Sequence, residues 1–249
     1  MQPRHPARRL LLLSATLATA GLVASGCGVF AVDAQTKPSR LDTVLSQMDT
    51  ASARFTSAQA DVRQLIFTKV VQDTSTETGD IYFLRKGNST EMGMKMSAPG
   101  APPGSPPAQI VEFKDGTLRE YNPGINHVDV QSTAGHQAMA ETFLTLGFGG
   151  SGHDLEKSWT IDDQGAEQMS DGSKAVAVEK LDLTPKDADL RKNFTHIAIW
   201  VDPTRAVSLK QVFYFPKGDT RTTFYTNIRL NQKVDQSAFA IKCKNNKCS

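Results

Sequence analysis

The chain has 249 residues, with 39% hydrophobic and 22% charged, near globular averages; this excludes wholesale disorder and a fibrous protein. Lys and Arg number 28 against 26 Asp and Glu, a formal charge of +2. So even a balance leaves no basic footprint and excludes nucleic acid as the expected partner.

Residues 1–34 read as an export segment and not as fold. Arg4, Arg8 and Arg9 precede an apolar stretch over residues 10–23 that is short for a membrane span, which needs about 18 apolar residues or more. A membrane anchor is the alternative reading. Ala24-Ser25-Gly26-Cys27 matches a bacterial lipobox, in which Cys27 would receive diacylglycerol and become the new N-terminus. Each acyl CH₂ then contributes about 0.8 kcal/mol to membrane anchoring. Val32-Asp33-Ala34 is a competing site for ordinary signal peptidase and would release a chain starting at Gln35. The lipobox is preferred because Cys27 directly follows the apolar stretch. Gly28 is not the aspartate associated with inner-membrane retention, which favours an outer-membrane address. Residues 35–249 are left as one expected domain with 25 basic and 25 acidic side chains.

Three cysteines agree with export. Cys27 is lipidated or lost, and Cys243 and Cys248 remain as a pair suited to a small C-terminal disulfide loop in an oxidising periplasm. No His, Asp or Glu lies near that pair, so a zinc site lacks ligands.

Ser39 is expected to cap a helix whose apolar positions Leu41, Val44, Leu45, Met48, Ala51 and Phe55 recur at helical spacing, with Asp42 completing a capping box. From residue 60 the period becomes two. Strands are expected over 62–71, 80–85, 91–96, 109–113, 118–121 and 127–130, separated by turn signals such as Asp115-Gly116 and Asn122-Pro123-Gly124. The Pro/Gly-rich run 98–108 reads as an elongated hairpin loop. A second helix is expected over 134–146. It leads to Gly147-Phe148-Gly149-Gly150-Ser151-Gly152, read as a mobile loop because the Lys-Ser or Lys-Thr of a phosphate loop is missing. Strands follow over 159–161, 175–183, 194–201, 207–215 and 222–230. Ten or eleven short strands with tight turns imply an antiparallel meander.

Scattered histidines, no nucleophile elbow and acids spread over turns give no catalytic constellation, so a binding protein without cofactor is expected and not an enzyme. Met92, Met94 and Met96 would share one strand face. Three thioethers could hold Cu(I). The preferred reading is an adaptable apolar surface, joined by Phe83, Phe113, Trp200, Phe213 and Phe215 on other strands. With Ile81 and Val111, these residues are the expected lining of a cavity for acyl chains.

Several segments resemble the outer-membrane lipoprotein carrier family (LolA-type proteins). They are Ser39-Arg40-Leu41-Asp42 with Ala53-Arg54-Phe55, Gly79-Asp80-Ile81-Tyr82-Phe83-Leu84-Arg85, Phe113-Lys114-Asp115-Gly116 with Glu120-Tyr121-Asn122-Pro123, and Leu183-Thr184-Pro185. The resemblance implies an incomplete antiparallel β-barrel with a helical lid over a hydrophobic cavity. It implies acyl chains of lipoproteins or other lipids as cargo. An inner-membrane lipoprotein exporter or an outer-membrane receptor would be its partner, and the protein would work as a monomer in the periplasm of a Gram-negative-type bacterium. Arg85 matches the family arginine that bonds lid-helix backbone in the closed state. The family aromatic four positions later is Ser89 here. A chain lipidated at Cys27 would resemble the anchored receptor, or a signalling or structural envelope lipoprotein using the same fold, more than the diffusing carrier.

Overall fold

The computed structural model describes residues 39–102, 104–133 and 146–248, all within the compact unit Pro38–Ser249. The predicted export segment, Cys27 and nearly all of the predicted helix over 134–146 lie outside the described residues.

The first element is α1 (Arg40–Ser52). Ser39 caps it as expected: its hydroxyl accepts from the Asp42 N–H, and the Asp42 carboxylate accepts from the Ser39 N–H, each at 3.0 Å. The helix buries Val44, Leu45, Met48 and Ala51 and ends at Ser52. Phe55, assigned to the same stripe by spacing, lies beyond the helix and packs with sheet residues instead.

Eleven strands follow among the described residues: β1 (Ser57–Thr68), β2 (Asp73–Lys86), β3 (Ser89–Ser97), β4 (Pro107–Lys114), β5 (Thr117–Asn122), β6 (His127–Ser132), β7 (Trp159–Ser170), β8 (Ala175–Pro185), β9 (His196–Asp202), β10 (Val207–Tyr214) and β11 (Thr220–Leu230). Two short helices interrupt them, α2 (Gly152–Ser158) and α3 (Ala188–Asn193). All strands pair antiparallel in one sheet of order β6-β5-β4-β3-β2-β1-β11-β10-β9-β8-β7, so β6 and β7 are open edges and the sheet is an unclosed half-barrel. Joining β1 to β11 makes the chain's first and last strands central. The expected loop between β3 and β4 is present, and Pro107 opens β4, where a missing N–H costs little.

Two sequence-based expectations are corrected. The first strand stops at Thr68. Val70 and Val71 occupy a turn closed by Gln72 in a left-handed conformation (φ 53°), with the Lys69 N–H donating to Asp219 at 2.8 Å. The glycine-rich segment after residue 146 is packed down, not free. Leu146 and Phe148 are each 1% exposed, and the Gly149 N–H donates to Ala206 O at 2.8 Å. The Ser151 hydroxyl then caps α2.

α1 lies over one half of the sheet. Val44, Leu45 and Met48 pack with Leu155 of α2 and with Trp159, Leu181, Leu183, Ile197, Ile199 and Val201 of β7–β9. Strand β9 reads as a continuous apolar run because it is buried on both sides. At Gly152 a side chain would sit 2.4 Å from Leu45 O, so only glycine permits this approach of α2 to α1.

Behind the other half runs a C-terminal strap. Phe239 meets the Tyr82 ring edge-on at 4.8 Å above Gly93, where an added Cβ would be 2.3 Å from the Tyr82 ring. Cys243 and Cys248 are disulfide-bonded, as expected. The Asn126 side chain holds the loop at both ends, accepting from Lys244 N–H and donating to Lys247 O, each at 2.8 Å. Closing so short a loop stabilises by about 2 kcal/mol in the chain-entropy model. Replacing both cysteines with serine is therefore expected to lower stability by about that amount. Hydrogen exchange should show lost protection over residues 236–248 with little change under α1.

Candidate functional site

Cross-strand register assembles the site. Phe83 pairs with Met92, Ile81 with Met94 and Gly79 with Met96. Met92 pairs in turn with Phe113, and Met94 with Val111. Ala58 and Ala60 of β1 lie opposite Phe83 and Ile81. Directly opposed residues share a sheet face, so seven of the ten residues singled out for a lining form one continuous apolar face across β2, β3 and β4. Most are buried, with Met96 at 1% and Phe113 at 3%, and Met94 half-buried. Gly79 is required there, because an added Cβ would meet Lys95 O at 1.8 Å.

The remaining three residues lie outside that patch: register through β1 and β11 keeps Phe213 on the same side of the sheet but away from the methionines, while Trp200 turns to the other side. Trp200 is buried in the wider apolar cluster but opposes Lys210, on the other side of β9 from Ile197 and Ile199. Its indole N–H donates to Glu167 at 2.8 Å, and the Lys210 ammonium sits 3.9 Å from its ring. Phe213 packs with the residues under α1, and Phe215 lies 5.4 Å from Phe194 beyond the end of β10. Counting aromatics could not separate these positions, because each side depends on register and on the bulge near Leu209.

A cavity of about 660 Å³ adjoins this core. Val62, Leu209 and Tyr225 line it, and all three belong to the same apolar cluster as the methionines. Met169, Phe224 and Arg63 complete the wall, with Gly104 and Ser105 of the Pro/Gly loop beside them. None of the ten sequence-derived residues lines it. Sequence reading missed it because its wall joins β1, β11 and the tip of β7. The β7–β8 hairpin pairs with β9 only as far as Glu179, and its tip reaches β11, where the Asn227 N–H donates to Asp171 O at 2.8 Å. Burial pushes the Tyr225 hydroxyl well above its ordinary pKa, and that hydroxyl donates to Gln211 at 3.1 Å, so it stays neutral.

Arg85 is the polar centre of the covering layer. Its guanidinium donates to Ser52 O at the end of α1 and to Gly149 O in the glycine-rich segment, both at 2.6 Å. The Ser52 hydroxyl also donates to Gly149 O at 2.6 Å. Phe55 is seated directly below Gly149, where an added Cβ would be 2.3 Å from the ring. One side chain of the sheet thus ties together two segments that cover it. Phe148 continues the contact, stacked on Phe83 at 4.4 Å and edge-on to Tyr225 at 4.8 Å.

A second polar tie joins α1 to α2. Asp49 accepts from the Ser151 hydroxyl at 2.6 Å, from the His153 N–H at 3.2 Å and from the His153 ring. Burial opposes the Asp49 charge, but the Ser151 and His153 hydrogen bonds outweigh it and hold the carboxyl below its usual pKa. The bond to Asp49, aided by its charge, raises His153 above the ordinary imidazole value. The stabilisation from His153 is therefore complete below about pH 6.5 and is lost as pH rises through its raised folded value. That from Asp49 is present above about pH 4 and is lost as pH falls through its lowered folded value. Proton NMR should find His153 titrating above ordinary histidine in the native chain and returning to the ordinary range in D49N.

Among the described residues no three His, Cys, Asp or Glu side chains cluster as metal ligands, and no helix is long and apolar enough to cross a membrane.

No family model and no curated protein matches the chain. Solved structures do. An uncharacterized conserved protein from Thermus thermophilus is 11% identical with a TM-score of 0.50, over 82% of this chain and 95% of that one. A putative outer membrane lipoprotein-sorting protein domain from Vibrio parahaemolyticus is 13% identical with a TM-score of 0.42, over 80% and 97%. A LolA superfamily protein from Nitrosomonas europaea is 13% identical with a TM-score of 0.38, over 82% and 99%. At such identities the likeness is one of fold: the chain is similar to these solved structures, a LolA superfamily protein among them.

Proposed function

We propose that this protein binds acyl chains of lipoproteins or other lipids in the bacterial envelope, without catalysis. The observation that carries the reading is the Arg85 tie. A continuous apolar face lies beneath two segments that a single side chain fastens by hydrogen bonds to their backbone, and a cavity adjoins the same apolar cluster. The volume of about 660 Å³ falls in the usual range for small-molecule sites, about 300–1,000 Å³. Burying a chain contributes about 0.8 kcal/mol per CH₂. Methionines suit the task, because an unbranched thioether adapts to varied apolar shapes. Opening breaks the Arg85 hydrogen bonds and the packing of the covering segments on the sheet, and leaves the strand pairing intact. The export segment and the Cys243–Cys248 bond support an envelope location, with Cys27 as the anchor.

Titration with a fluorescent acyl-chain probe should show saturable binding by the wild-type chain. Met169→Trp fills the cavity from its wall and is expected to weaken binding at least about 10-fold, 1.4 kcal/mol or more, with an unchanged melting temperature. Met94→Leu keeps the apolar face and should bind as wild type. An absence of saturable binding, or equal binding by M169W, would refute the reading.

A further inference from the structure

The two ends of the half-barrel differ in their turns. Strand alternation puts the tight β1–β2, β3–β4, β5–β6 and β10–β11 turns at one end of the sheet, together with the longer β8–β9 connection that carries α3. There Val70 is 86% exposed, Val71 66% and Ile125 70%, three of the four large hydrophobics that the described residues leave exposed. The fourth, Val130, is on the edge strand β6. The β3–β4 turn at this end is an uncharged run of Ala, Pro, Gly and Ser. At the opposite end the turns are Gly87-Asn88, Asp115-Gly116, Asp171-Gly172-Ser173-Lys174 and Pro203-Thr204-Arg205-Ala206, and no large hydrophobic is exposed in them.

Hairpin turns normally take Gly, Pro, Asn, Asp or Ser. Single exposed aliphatic residues are ordinary, but several gathered at one end mark an interaction surface. Paired valines at the tip of the long β1–β2 hairpin serve no packing role, since water surrounds both. In the four tight turns lysine is in excess, and the β8–β9 connection beside them has Asp187 and Asp189 against Lys186, Arg191 and Lys192. Lys69 and Lys217 are exposed, whereas Asp219, the only carboxylate in these four turns, is occupied by the Lys69 N–H. The Lys69 stem lies along Gly218, which joins the β1–β2 tip to the β10–β11 turn as one surface.

We propose that this end of the sheet docks on an anionic phospholipid bilayer, with Val70 and Val71 entering the interface and Lys69 and Lys217 meeting lipid phosphates. Aliphatic tips gain by leaving water, and each lysine gains from a negative leaflet. The opposite end, with its polar turns, then faces away from the membrane. The docking does not depend on the cavity: the tip can touch a bilayer whether or not a chain is bound inside.

The readout has to be local, because residues 1–34 can bind a bilayer by themselves. In the full chain, Val71→Trp reports the proposed tip and Asn88→Trp the opposite end; native Trp159 and Trp200 are buried at 1% and 6% and give a constant background. Vesicles of equal parts phosphatidylglycerol and phosphatidylcholine, with brominated chains, should blue-shift and quench V71W several-fold more than N88W. K69E/K217E should reduce quenching of V71W on these vesicles and leave it unchanged on pure phosphatidylcholine. All substitutions are at exposed turns, so circular dichroism should match wild type. Water-like V71W emission on vesicle-bound protein, equal quenching of V71W and N88W, or indifference to the lysine reversal would each overturn the proposal, the last two pointing to unoriented adsorption or to a protein partner.

Discussion

Arg85→Met is expected to lower stability by about 3 kcal/mol and to speed entry of an acyl-chain probe. Two charge-assisted hydrogen bonds at 2.6 Å are lost together. Bonds to a charged donor are individually worth about 1.5–3 kcal/mol and do not add fully. The loss leaves Ser52 O, one of the last carbonyls of α1, with only the short-turn bond from the Phe55 N–H at 3.1 Å. Gly149 O keeps the Ser52 hydroxyl alone. Methionine preserves the stem that packs near Phe55, whose ring is 5.4 Å from the guanidinium, so the substitution isolates the polar head. Arg85→Lys should recover only part of the loss, because one ammonium cannot reproduce a planar fork aimed at two carbonyls. Urea unfolding measures the stability; hydrogen exchange should lose protection first at the end of α1 and around Gly149. An R85M chain with wild-type exchange at both places would show that the tie is not what holds the covering segments.

Phe148→Ala is the second large effect, about 3–5 kcal/mol. Its side chain is 1% exposed, stacked on Phe83 and edge-on to Tyr225. Truncation leaves a cavity against the apolar face and removes the aromatic pairing, which is worth about 0.5–1.5 kcal/mol beyond the area buried. The backbone pairing of Phe148 with Val207 remains possible, so the segment should loosen and not leave the sheet. Phe148→Leu fills most of the volume and should cost much less. A denaturant midpoint shift of similar size in F148L and F148A would contradict this, because it would place the contribution in ring stacking and not in volume. Compared with R85M, F148A should enlarge the space for an acyl chain, so probe affinity is expected to rise even as stability falls.

The architecture was legible along the chain because each strand carries its own signal. Period-two patterning and tight turns announced a meander of ten or eleven strands, and the described residues form eleven. Ser39 and Asp42 are three residues apart, so the capping box follows from local geometry. The boundaries that failed did so for local competition: Val70 and Val71 are strong strand formers, yet Gln72 and the Asp219 bond turn the chain before them. The helix α3 escaped notice because its six residues are too few for a periodic stripe, although Asp187 caps it and was a readable signal.

The candidate site divides the same way. Alternation along β3 was enough to put Met92, Met94 and Met96 on one side, since the side-chain period of a strand is two. Which side of β9 Trp200 takes relative to them could not be read, because a single bulge residue between strands reverses the parity. The Arg85 tie rested on resemblance alone before the fold was seen. Its partners stand 33 and 64 residues away, and Asp49 and His153 are 104 apart. Sequence by itself thus determined the strands, the first helix with its cap, the disulfide pair and the charge balance of the chain, all set by composition or by neighbours within a few residues. Tertiary structure decided which faces meet, where the cavity opens, what Arg85 holds and which turns gather at one end. Those depend on the order and register in which eleven strands pair, and only the packed sheet specifies that.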